Sequence, residues 1–298
     1  QPKDKVVSEY QNFMDATLGK GVLTTEHVAD LHDLGYLPLK IKAVKEGTNV
    51  PLQTPMMTFW NTKPEFYWLT NYLETLLSDV LWKPCTSATT AKSFREIFND
   101  YAERTSVNQE FVQFQGHDFS FRGMSGIEDA CMSGGAHLMS FKGTDTVPAI
   151  SWLRKYYGDS DEVFIGGSVP ATEHSIMSAG QKESEIDTYK RLITEIYPNG
   201  IISIVSDTYD FWKVITEYLP TLKQDILNRE GKVVIRPDSG DPVKIICGDQ
   251  HADTEHERKG LVECLWDIFG GTVNEKGFRE LDPHIGCIYG DSITTNRQ

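Results

Sequence analysis

The sequence is poor in basic residues, and this shortage argues against a general nucleic-acid-binding surface. The chain has 29 Lys and Arg against 43 Asp and Glu, which gives a formal net charge of −14. A protein of this charge repels a polyphosphate backbone over most of its surface. A few well-placed Arg side chains can still bind phosphate inside an acidic protein. Small anionic ligands therefore stay open as partners.

Clustered cysteines and long apolar runs are also missing. The five Cys are scattered, with no CxxC pair and no His pair at zinc spacing: Cys85, Cys131, Cys247, Cys264 and Cys287. An odd, scattered set predicts reduced thiols in a cytoplasmic protein. No uninterrupted apolar run reaches the length of a membrane span, and the first residues, QPKDKVV, are unlike a signal peptide. We therefore expect no contact with a membrane.

Residues 1–109 predict a small α+β domain. Apolar residues at helical spacing predict two helices within residues 1–36, a helix after Pro64 and another helix at 87–102. Alternating apolar and polar residues at 37–44, and a second short stretch at 56–60, predict two strands.

Residues 110–298 change to a repeated order of strand, polar loop and helix. Short apolar runs predict six strands, at 111–114, 138–141, 163–165, 201–205, 232–235 and 285–289. Helical patterns stand between them, at 124–136, 146–157, 184–196, 211–219, 222–228 and 261–269. Such alternation predicts an α/β fold with a parallel sheet, either a barrel or a doubly wound sheet.

Polar side chains follow each predicted strand. They are Arg122, Asp145, Ser168, His174, Ser206, Asp207, Asp210, Arg236, Asp238 and Asp291. The carboxyl ends of parallel strands are where ligands bind in α/β folds. Carboxylates suit ribose hydroxyls or Mg²⁺, and Arg suits phosphate. Asp residues near loops are more often helix caps and turn residues than metal ligands, so we assign no metal ligand.

The stretch 117–145 holds three groups that suit a flat, polar, heteroaromatic ligand. Phe119 offers a ring, Arg122 a guanidinium and Asp145 a carboxylate. The alternative is a turn Arg paired with a turn Asp. His174 is a second candidate, because a histidine oriented by a carboxylate can act as a nucleophile or as an acid–base group. Glu173 and Asp145 are the carboxylates we expect to orient it, although a lone loop histidine is more often structural.

Six motifs, in order, resemble those of nicotinamide phosphoribosyltransferases, which are type II phosphoribosyltransferases. They are HDFSFRG, FKGTDT, GGSVPATEHS, IVSDTYD, VIRPDSGDP and IYGDS. Two earlier stretches, LPLKIKAVKEGTNVP and PEFYWLTNYLETLL, resemble that family's first domain. The resemblance implies an irregular parallel α/β barrel at residues 110–298, with a smaller N-terminal α+β domain. It also implies transfer of ribose 5-phosphate from phosphoribosyl pyrophosphate to nicotinamide, in NAD salvage.

The resemblance further implies roles for individual residues. Phe119 stacks on the pyridine ring, Arg122 orients the carboxamide and a nearby phosphate, and Asp145 accepts a hydrogen bond from the carboxamide nitrogen. His174, phosphorylated by ATP, Asp238 and Asp210 are the catalytic candidates. The remaining substrate-binding candidates are Ser168, Ser206, Arg236, Gly290 and Asp291. Mg²⁺, ATP and a homodimer with a shared active site are implied as well.

Two segments of that family have no counterpart in these 298 residues. One is an N-terminal segment that supplies a tyrosine to the partner's site, and the other is a Gly-rich phosphate loop after GDS. We expect a fragment of a longer protein or a truncated gene product. A nicotinate phosphoribosyltransferase and a truncated, non-catalytic ligand-binding remnant are the alternatives. Asp145 favours nicotinamide, because its negative charge repels the carboxylate of nicotinate.

Overall fold

The computed structural model describes residues 1–158, 162–290 and 293, and these residues form a mixed α/β structure. The chain divides into two compact units, Gln1–Lys83 and Pro84–Gln298. The domain boundary that we predict from the sequence, between residues 109 and 110, stays a prediction.

The first unit contains the helices and strands that its pattern predicts. Helices α1 (Lys3–Leu18) and α2 (Glu26–Leu34) are followed by strands β1 (Leu39–Ala43) and β2 (Met57–Asn61), which pair antiparallel. Aromatic rings join the helices to the segment after the strands. The ring of His27 lies 5.5 Å from that of Tyr10 and 4.7 Å from that of Trp68, both edge to face.

The two helices predicted after Pro64 and at 87–102 form one long helix, so their separation is wrong. Helix α3 runs from Leu69 to Thr105 with Pro84 inside it. A proline in a helix interior costs about 3 kcal/mol. Tertiary contacts after Pro84 offset this cost: Ser87 Oγ lies 2.8 Å from Ser133 Oγ, and Arg95 Nη1 donates to the carbonyl of Ser140 over 2.6 Å. Packing therefore outweighs local propensity here.

The second unit alternates helices with short strands, of which β7 (Gly271–Val273) and β8 (Arg279–Leu281) pair antiparallel. Its elements are β3 (His117–Asp118), α4 (Ile127–His137), β4 (Gly143–Thr144), α5 (Pro148–Tyr157), α6 (His174–Ser178), α7 (Glu185–Arg191), β5 (Ile202–Val205), α8 (Phe211–Lys213), α9 (Leu219–Leu227), β6 (Val233–Arg236), α10 (Pro242–Cys247), α11 (Glu255–Lys259), α12 (Leu261–Phe269), β7 (Gly271–Val273), β8 (Arg279–Leu281) and β9 (Ile285–Cys287). The strands predicted at 201–205, 232–235 and 285–289 are confirmed as β5, β6 and β9, and β9 is shorter than predicted.

The strands predicted at 111–114, 138–141 and 163–165 are wrong. Residues Glu110–Phe114 form a 3-10 turn, residues 138–141 form the turn that follows α4, and residues 163–165 are not in a strand. In each run only part of the apolar side chains is buried: Val112, Leu138, Phe141 and Ile165 are buried without sheet pairing, whereas Phe114 and Phe164 are exposed. The pairing occurs a few residues later in each case, at polar or glycine residues.

The break predicted at Pro220 is also wrong. A π-helical turn, Val214–Tyr218, joins α8 to α9, so the helix continues from Phe211 to Leu227. Pro220 lies in the first turn after the π-helical segment. The wider turn changes the hydrogen-bond pattern where proline has no N–H to donate. A similar π-helical turn, Leu192–Ile196, extends α7.

Because its strands other than β7 and β8 pair in parallel, the second unit has one edge at which their carboxyl ends lie together. β3 pairs with β4, β5 with β6, and β6 with β9, all in parallel. Parallel bridges Gly143↔Gly167 and Ala171↔Ser203 connect the segment at 167–171 to β4 and to β5. The carboxyl ends of all these segments therefore point the same way. The main core lies under β5, β6 and β9, where Ile204, Ile235 and Leu265 are fully buried.

Candidate active site

Asp145 is held at the carboxyl end of β4 by two donors. His117 Nε2 lies 2.9 Å from Asp145 Oδ1, and Ser168 Oγ donates to the same oxygen. Burial alone would raise the pKa of Asp145, but these hydrogen bonds and the charges of His117 and Arg236 outweigh burial and hold the pKa below its usual value. Asp145 is therefore an ionised carboxylate at neutral pH.

An aromatic ring contacts His117, the histidine that holds this carboxylate. Phe119 follows β3 directly and is half-buried, and its ring centroid lies 4.7 Å from that of His117, with 31° between the planes. Arg122 does not pair with Asp145, because its Nη2 donates to Glu173 Oε1 over 3.2 Å. The Arg122 side chain is 81% exposed, so its guanidinium is accessible to an anionic ligand.

His174 is oriented by Asp207, and the prediction that Glu173 or Asp145 orients it is wrong. His174 Nε2 lies 3.0 Å from Asp207 Oδ1, and the Asp207 side chain is only 6% exposed. The other oxygen of Asp207 accepts hydrogen bonds from the backbone N–H of Asp238 and from Ser239 Oγ, at 2.9 and 2.6 Å. Burial raises the pKa of Asp207, but these hydrogen bonds and His174 bring it below the usual value.

Ser206, Arg236 and Asp210 lie at the strand ends but bind mainly to the protein itself. Ser206 is fully buried, and its Oγ donates to the carbonyl of Ile204 over 2.7 Å. Arg236 is buried, and its Nη2 donates to the carbonyl of Thr172 over 2.6 Å, whereas its Nε has no partner in the described part of the chain. Asp210 caps α8 by accepting from the N–H of Lys213. The cap alternative is therefore confirmed for Asp210.

Asp238 and Gly290 meet where β6 and β9 end. A Cβ atom on Gly290 would lie 2.5 Å from Asp238 Oδ1, so only glycine leaves room for this carboxylate. Asp291, the next predicted site residue, lies outside the described residues. Across residues 1–158, 162–290 and 293, no group of three or more His, Cys, Asp or Glu is arranged to hold a metal ion.

A buried acid lies behind the strand ends. Glu185, in the first turn of α7, is 2% exposed, and its Oε1 has no partner among the described residues. Burial raises the pKa of Glu185, a hydrogen bond with Tyr218 partly offsets the rise, and the charge of Asp210 adds to it. Glu185 therefore retains its proton more readily than an exposed glutamate.

We expect Glu185→Gln to change how stability depends on pH. A carboxyl whose pKa is raised on folding stabilises the protein fully below the unfolded-state pKa, about 4.3 for Glu, and loses that contribution as pH rises through the folded-state pKa. The free energy of unfolding of Glu185→Gln should therefore rise relative to wild type as pH increases. Urea unfolding at several pH values measures this difference.

Glu183→Gln is the control, because Glu183 is exposed and stands two residues earlier. Its stability curve should run parallel to that of the wild type. A constant difference between Glu185→Gln and wild type at every pH would show that folding does not raise the pKa of Glu185.

The sequence reasoning missed His117 as the donor to Asp145, and it missed two pairings: Asp207 with His174, and Glu173 with Arg122. Asp207 itself was among the groups expected at the strand ends, because it follows the predicted strand at 201–205. A signal for His117 was weaker, because β3 has only two residues and no apolar pattern.

The fold and these side chains define a mixed α/β protein in which polar side chains gather at the carboxyl ends of parallel strands. The model of the nicotinate phosphoribosyltransferase (NAPRTase) family matches residues 114–298. The chain belongs to this family. No helix in the described part of the chain is both long and apolar enough to span a membrane.

Three curated relatives of the chain are each named nicotinamide phosphoribosyltransferase. The chain is 55% identical, over all of its length, to a nicotinamide phosphoribosyltransferase of Acinetobacter baylyi, and covers 60% of that protein. It is 37% identical over 93% of its length to the nicotinamide phosphoribosyltransferase of Mycoplasma pneumoniae, of which it covers 60%. It is 38% identical over 87% of its length to that of Xanthomonas campestris, of which it covers 52%. The chain thus spans between half and two thirds of the length of these relatives.

Proposed function

We propose that the protein transfers ribose 5-phosphate from phosphoribosyl pyrophosphate to nicotinamide, giving nicotinamide mononucleotide and pyrophosphate, in NAD salvage. The observation that carries this proposal is the ionised Asp145 held beside Phe119 at the carboxyl edge. The names of the curated relatives support the same reaction.

Phe119 and Asp145 suit the two ends of nicotinamide. The half-buried ring of Phe119 stacks on the pyridine ring, and Asp145 Oδ2 accepts a hydrogen bond from the carboxamide N–H₂. The pyridine nitrogen then forms its bond to the ribose C1 as the bond to pyrophosphate breaks. Positive charge that develops on the ribose is stabilised by nearby carboxylates, among which we place Asp238.

The phosphate groups of the substrate require cationic partners. Arg122 is exposed and reaches the site from the turn after β3, and Arg236 has a guanidinium nitrogen without a protein partner among the described residues. We assign both to phosphate, with Ser168 and Gly290 lining the pocket. The buried Ser206 supports the end of β5, and Asp210 keeps the loop before α8 in place. Asp291 is proposed as a ribose ligand on its motif alone.

Mg²⁺ fits this site as a companion of the substrate. Mg²⁺ is usually held by one or two carboxylates together with substrate phosphates, and Asp238 supplies a carboxylate that no hydrogen bond engages within the described chain. When bound, the ion neutralises negative charge on the departing pyrophosphate.

His174 is proposed to couple ATP to the reaction. Its Nε2 is engaged by Asp207, so Nδ1 is the nitrogen that attacks the terminal phosphorus of ATP and releases ADP. The buried, ionised Asp207 stabilises the positive charge that the ring acquires. ATP would then act as a co-substrate that stimulates product formation.

The second candidate is a nicotinate phosphoribosyltransferase, because the matching family model carries that name. Asp145 separates the two candidates. We expect Asp145→Ser to lower the preference for nicotinamide over nicotinate by on the order of a hundredfold, because the substitution removes the charge that repels a carboxylate. The ratio of kcat/KM for the two bases measures the preference.

Asp253→Ser is the control for this experiment, since Asp253 is exposed and lies in a loop outside the site. It should leave the ratio unchanged. A wild-type protein that prefers nicotinate would favour the second candidate, and an unaltered ratio in Asp145→Ser would remove Asp145 as the cause of selection.

The proposal also covers the fold of each domain, the oligomeric state and the location in the cell. We infer an irregular parallel barrel in residues 110–298, an N-terminal α+β domain in residues 1–109, a homodimer with a shared active site, and a cytoplasmic location. The parallel order of β3, β4, β5, β6 and β9 supports the barrel.

A further inference from the structure

His117 connects the ring of Phe119 to the carboxylate of Asp145. It lies in β3 opposite Gly143 of β4, and its side chain is 13% exposed. The backbone of Asp145 is fixed as well, because its N–H donates to the carbonyl of Asp118 over 2.8 Å. Both ends of the His117–Asp145 contact are therefore held by the pairing of β3 with β4.

The hydrogen bonds at Asp145 converge on one of its two oxygens. An ionised carboxylate can only accept, so His117 must carry its proton on Nε2. Both His117 Nε2 and Ser168 Oγ donate to Oδ1. No hydrogen bond from the residues that the structure describes reaches Oδ2. One oxygen is thus saturated by the protein, and the other is left for a ligand.

The surroundings leave His117 little freedom to move. A Cβ atom on Gly143 would lie 2.7 Å from His117 Nδ1, so glycine at this position makes room for the imidazole. On its other side the ring contacts Phe119 at 4.7 Å between centroids. A shift of His117 would therefore displace either the stacking ring or the carboxylate.

We propose that His117 is a positioning residue that determines which base the site accepts. It fixes Asp145 so that only an ionised acceptor oxygen faces the base. A carboxamide is therefore selected over a carboxylate. This inference rests on the proposed function. A carboxamide N–H₂ can donate to Oδ2, whereas a carboxylate has no proton to donate and meets a like charge.

Loss of His117 changes the charge state of Asp145 as well as its orientation. The groups that face Asp145 are His117 from β3, Ser168 from the segment at 167–171, and Arg236 from the end of β6. Without His117, burial is opposed only by Ser168 and Arg236, so the pKa of Asp145 rises. A protonated Asp145 can then donate a hydrogen bond to the carboxylate of nicotinate.

The test compares His117→Phe with His117→Gln. Phenylalanine retains a flat ring beside Phe119 but removes the donor, whereas glutamine retains a donor close to the position of Nε2. We expect the preference for nicotinamide over nicotinate to fall roughly tenfold in His117→Phe, because a hydrogen bond to the charged carboxylate is lost, and to stay near wild type in His117→Gln. The loss should be larger at lower pH, because a raised pKa of Asp145 leaves a larger fraction of this carboxyl protonated in the variant.

A second measurement needs no catalysis. Carbon-13 NMR of labelled aspartate follows the titration of Asp145, with Asp145→Asn used to assign its signal. The pKa of Asp145 should be higher in His117→Phe than in the wild type, and close to wild type in His117→Gln. This result is independent of whether the protein makes nicotinamide mononucleotide, so failure of the inference is distinguished from failure of the proposed function.

Two results would overturn the inference. One is an unchanged preference in His117→Phe at both pH values in a protein that uses nicotinamide. The other is an unchanged pKa of Asp145 in the same variant. Equal loss of turnover with both bases, at a constant ratio, would assign His117 a purely structural role.

Discussion

Asp207→Asn should slow phosphorylation of His174 by ATP by roughly a hundredfold or more. The Asp207 carboxylate holds His174 Nε2 at 3.0 Å, and its charge stabilises the imidazolium that forms when the ring is phosphorylated. Asparagine has nearly the same shape and can still accept from the N–H of Asp238, but it carries no charge. The rate of label transfer from γ-labelled ATP to the protein measures the effect.

Ser239→Ala is the matched control, because it removes one hydrogen bond to the same carboxylate and leaves the charge in place. We expect a decrease of only a few-fold in that variant, since one hydrogen bond is lost and the contact between the Asp207 carboxylate and His174 Nε2 remains. His174→Ala should abolish the label. A labelling rate for Asp207→Asn within a few-fold of wild type would contradict the assignment of Asp207 as the partner of His174.

Arg229→Met should lower the free energy of unfolding by about 3–5 kcal/mol. Arg229 is 6% exposed, and its guanidinium donates to the carbonyls of Ile193, Tyr197 and Gly200. These carbonyls lie between α7 and β5, where the π-helical turn ends and leaves acceptors without helical partners. Methionine fills a similar volume but leaves the carbonyls of Ile193 and Tyr197 without this donor, whereas the carbonyl of Gly200 still accepts from the N–H of Lys232 at 3.1 Å.

The urea midpoint measures this loss, provided that the dependence on urea is unchanged. Arg191→Met is the control, because Arg191 lies in the same segment and, among the residues that the structure describes, makes only an exposed pair with Glu195 at 4.0 Å. It should change stability by less than about 1 kcal/mol. If both variants lose the same amount, Arg229 does not act as a cap for these carbonyls.

The strands that carry the main core could be predicted from the sequence because they are buried on both faces. All four residues of β5 are buried, and β6 is nearly so. Parallel strands covered on both sides have continuous apolar runs, which are visible in the sequence. The Asp, Arg and Ser that follow these runs were placed correctly at their carboxyl ends for the same reason.

The shorter strands could not be predicted in this way. β3 is His117–Asp118 and β4 is Gly143–Thr144, and neither has an apolar pattern. The apolar run at 138–141 lies in a turn instead, because Leu138 and Phe141 reach the interior from there. Phe141 packs so closely on Gly116 that a Cβ there would lie 2.6 Å from its ring. Such packing depends on contacts between distant residues.

Which side chains form hydrogen bonds with the site residues also depends on contacts between distant parts of the chain. Glu173 is adjacent to His174 in sequence, whereas Asp207 stands 33 residues away and still forms the contact. The bridge between Ala171 and Ser203 brings these segments side by side, and no local pattern indicates it. In the same way, Arg122 contacts Glu173 across 51 residues. Sequence reasoning could name the groups at this edge, but their pairing follows from strand order.

The measurement that tests the account most directly is product formation by the protein expressed from its complete gene. Nicotinamide or nicotinate is supplied with phosphoribosyl pyrophosphate and Mg²⁺, with and without ATP, and the product is identified by mass spectrometry. We expect nicotinamide mononucleotide from the amide, little product from the acid, and more product when ATP is present. Nicotinate mononucleotide as the main product, or no product from either base, would contradict the account.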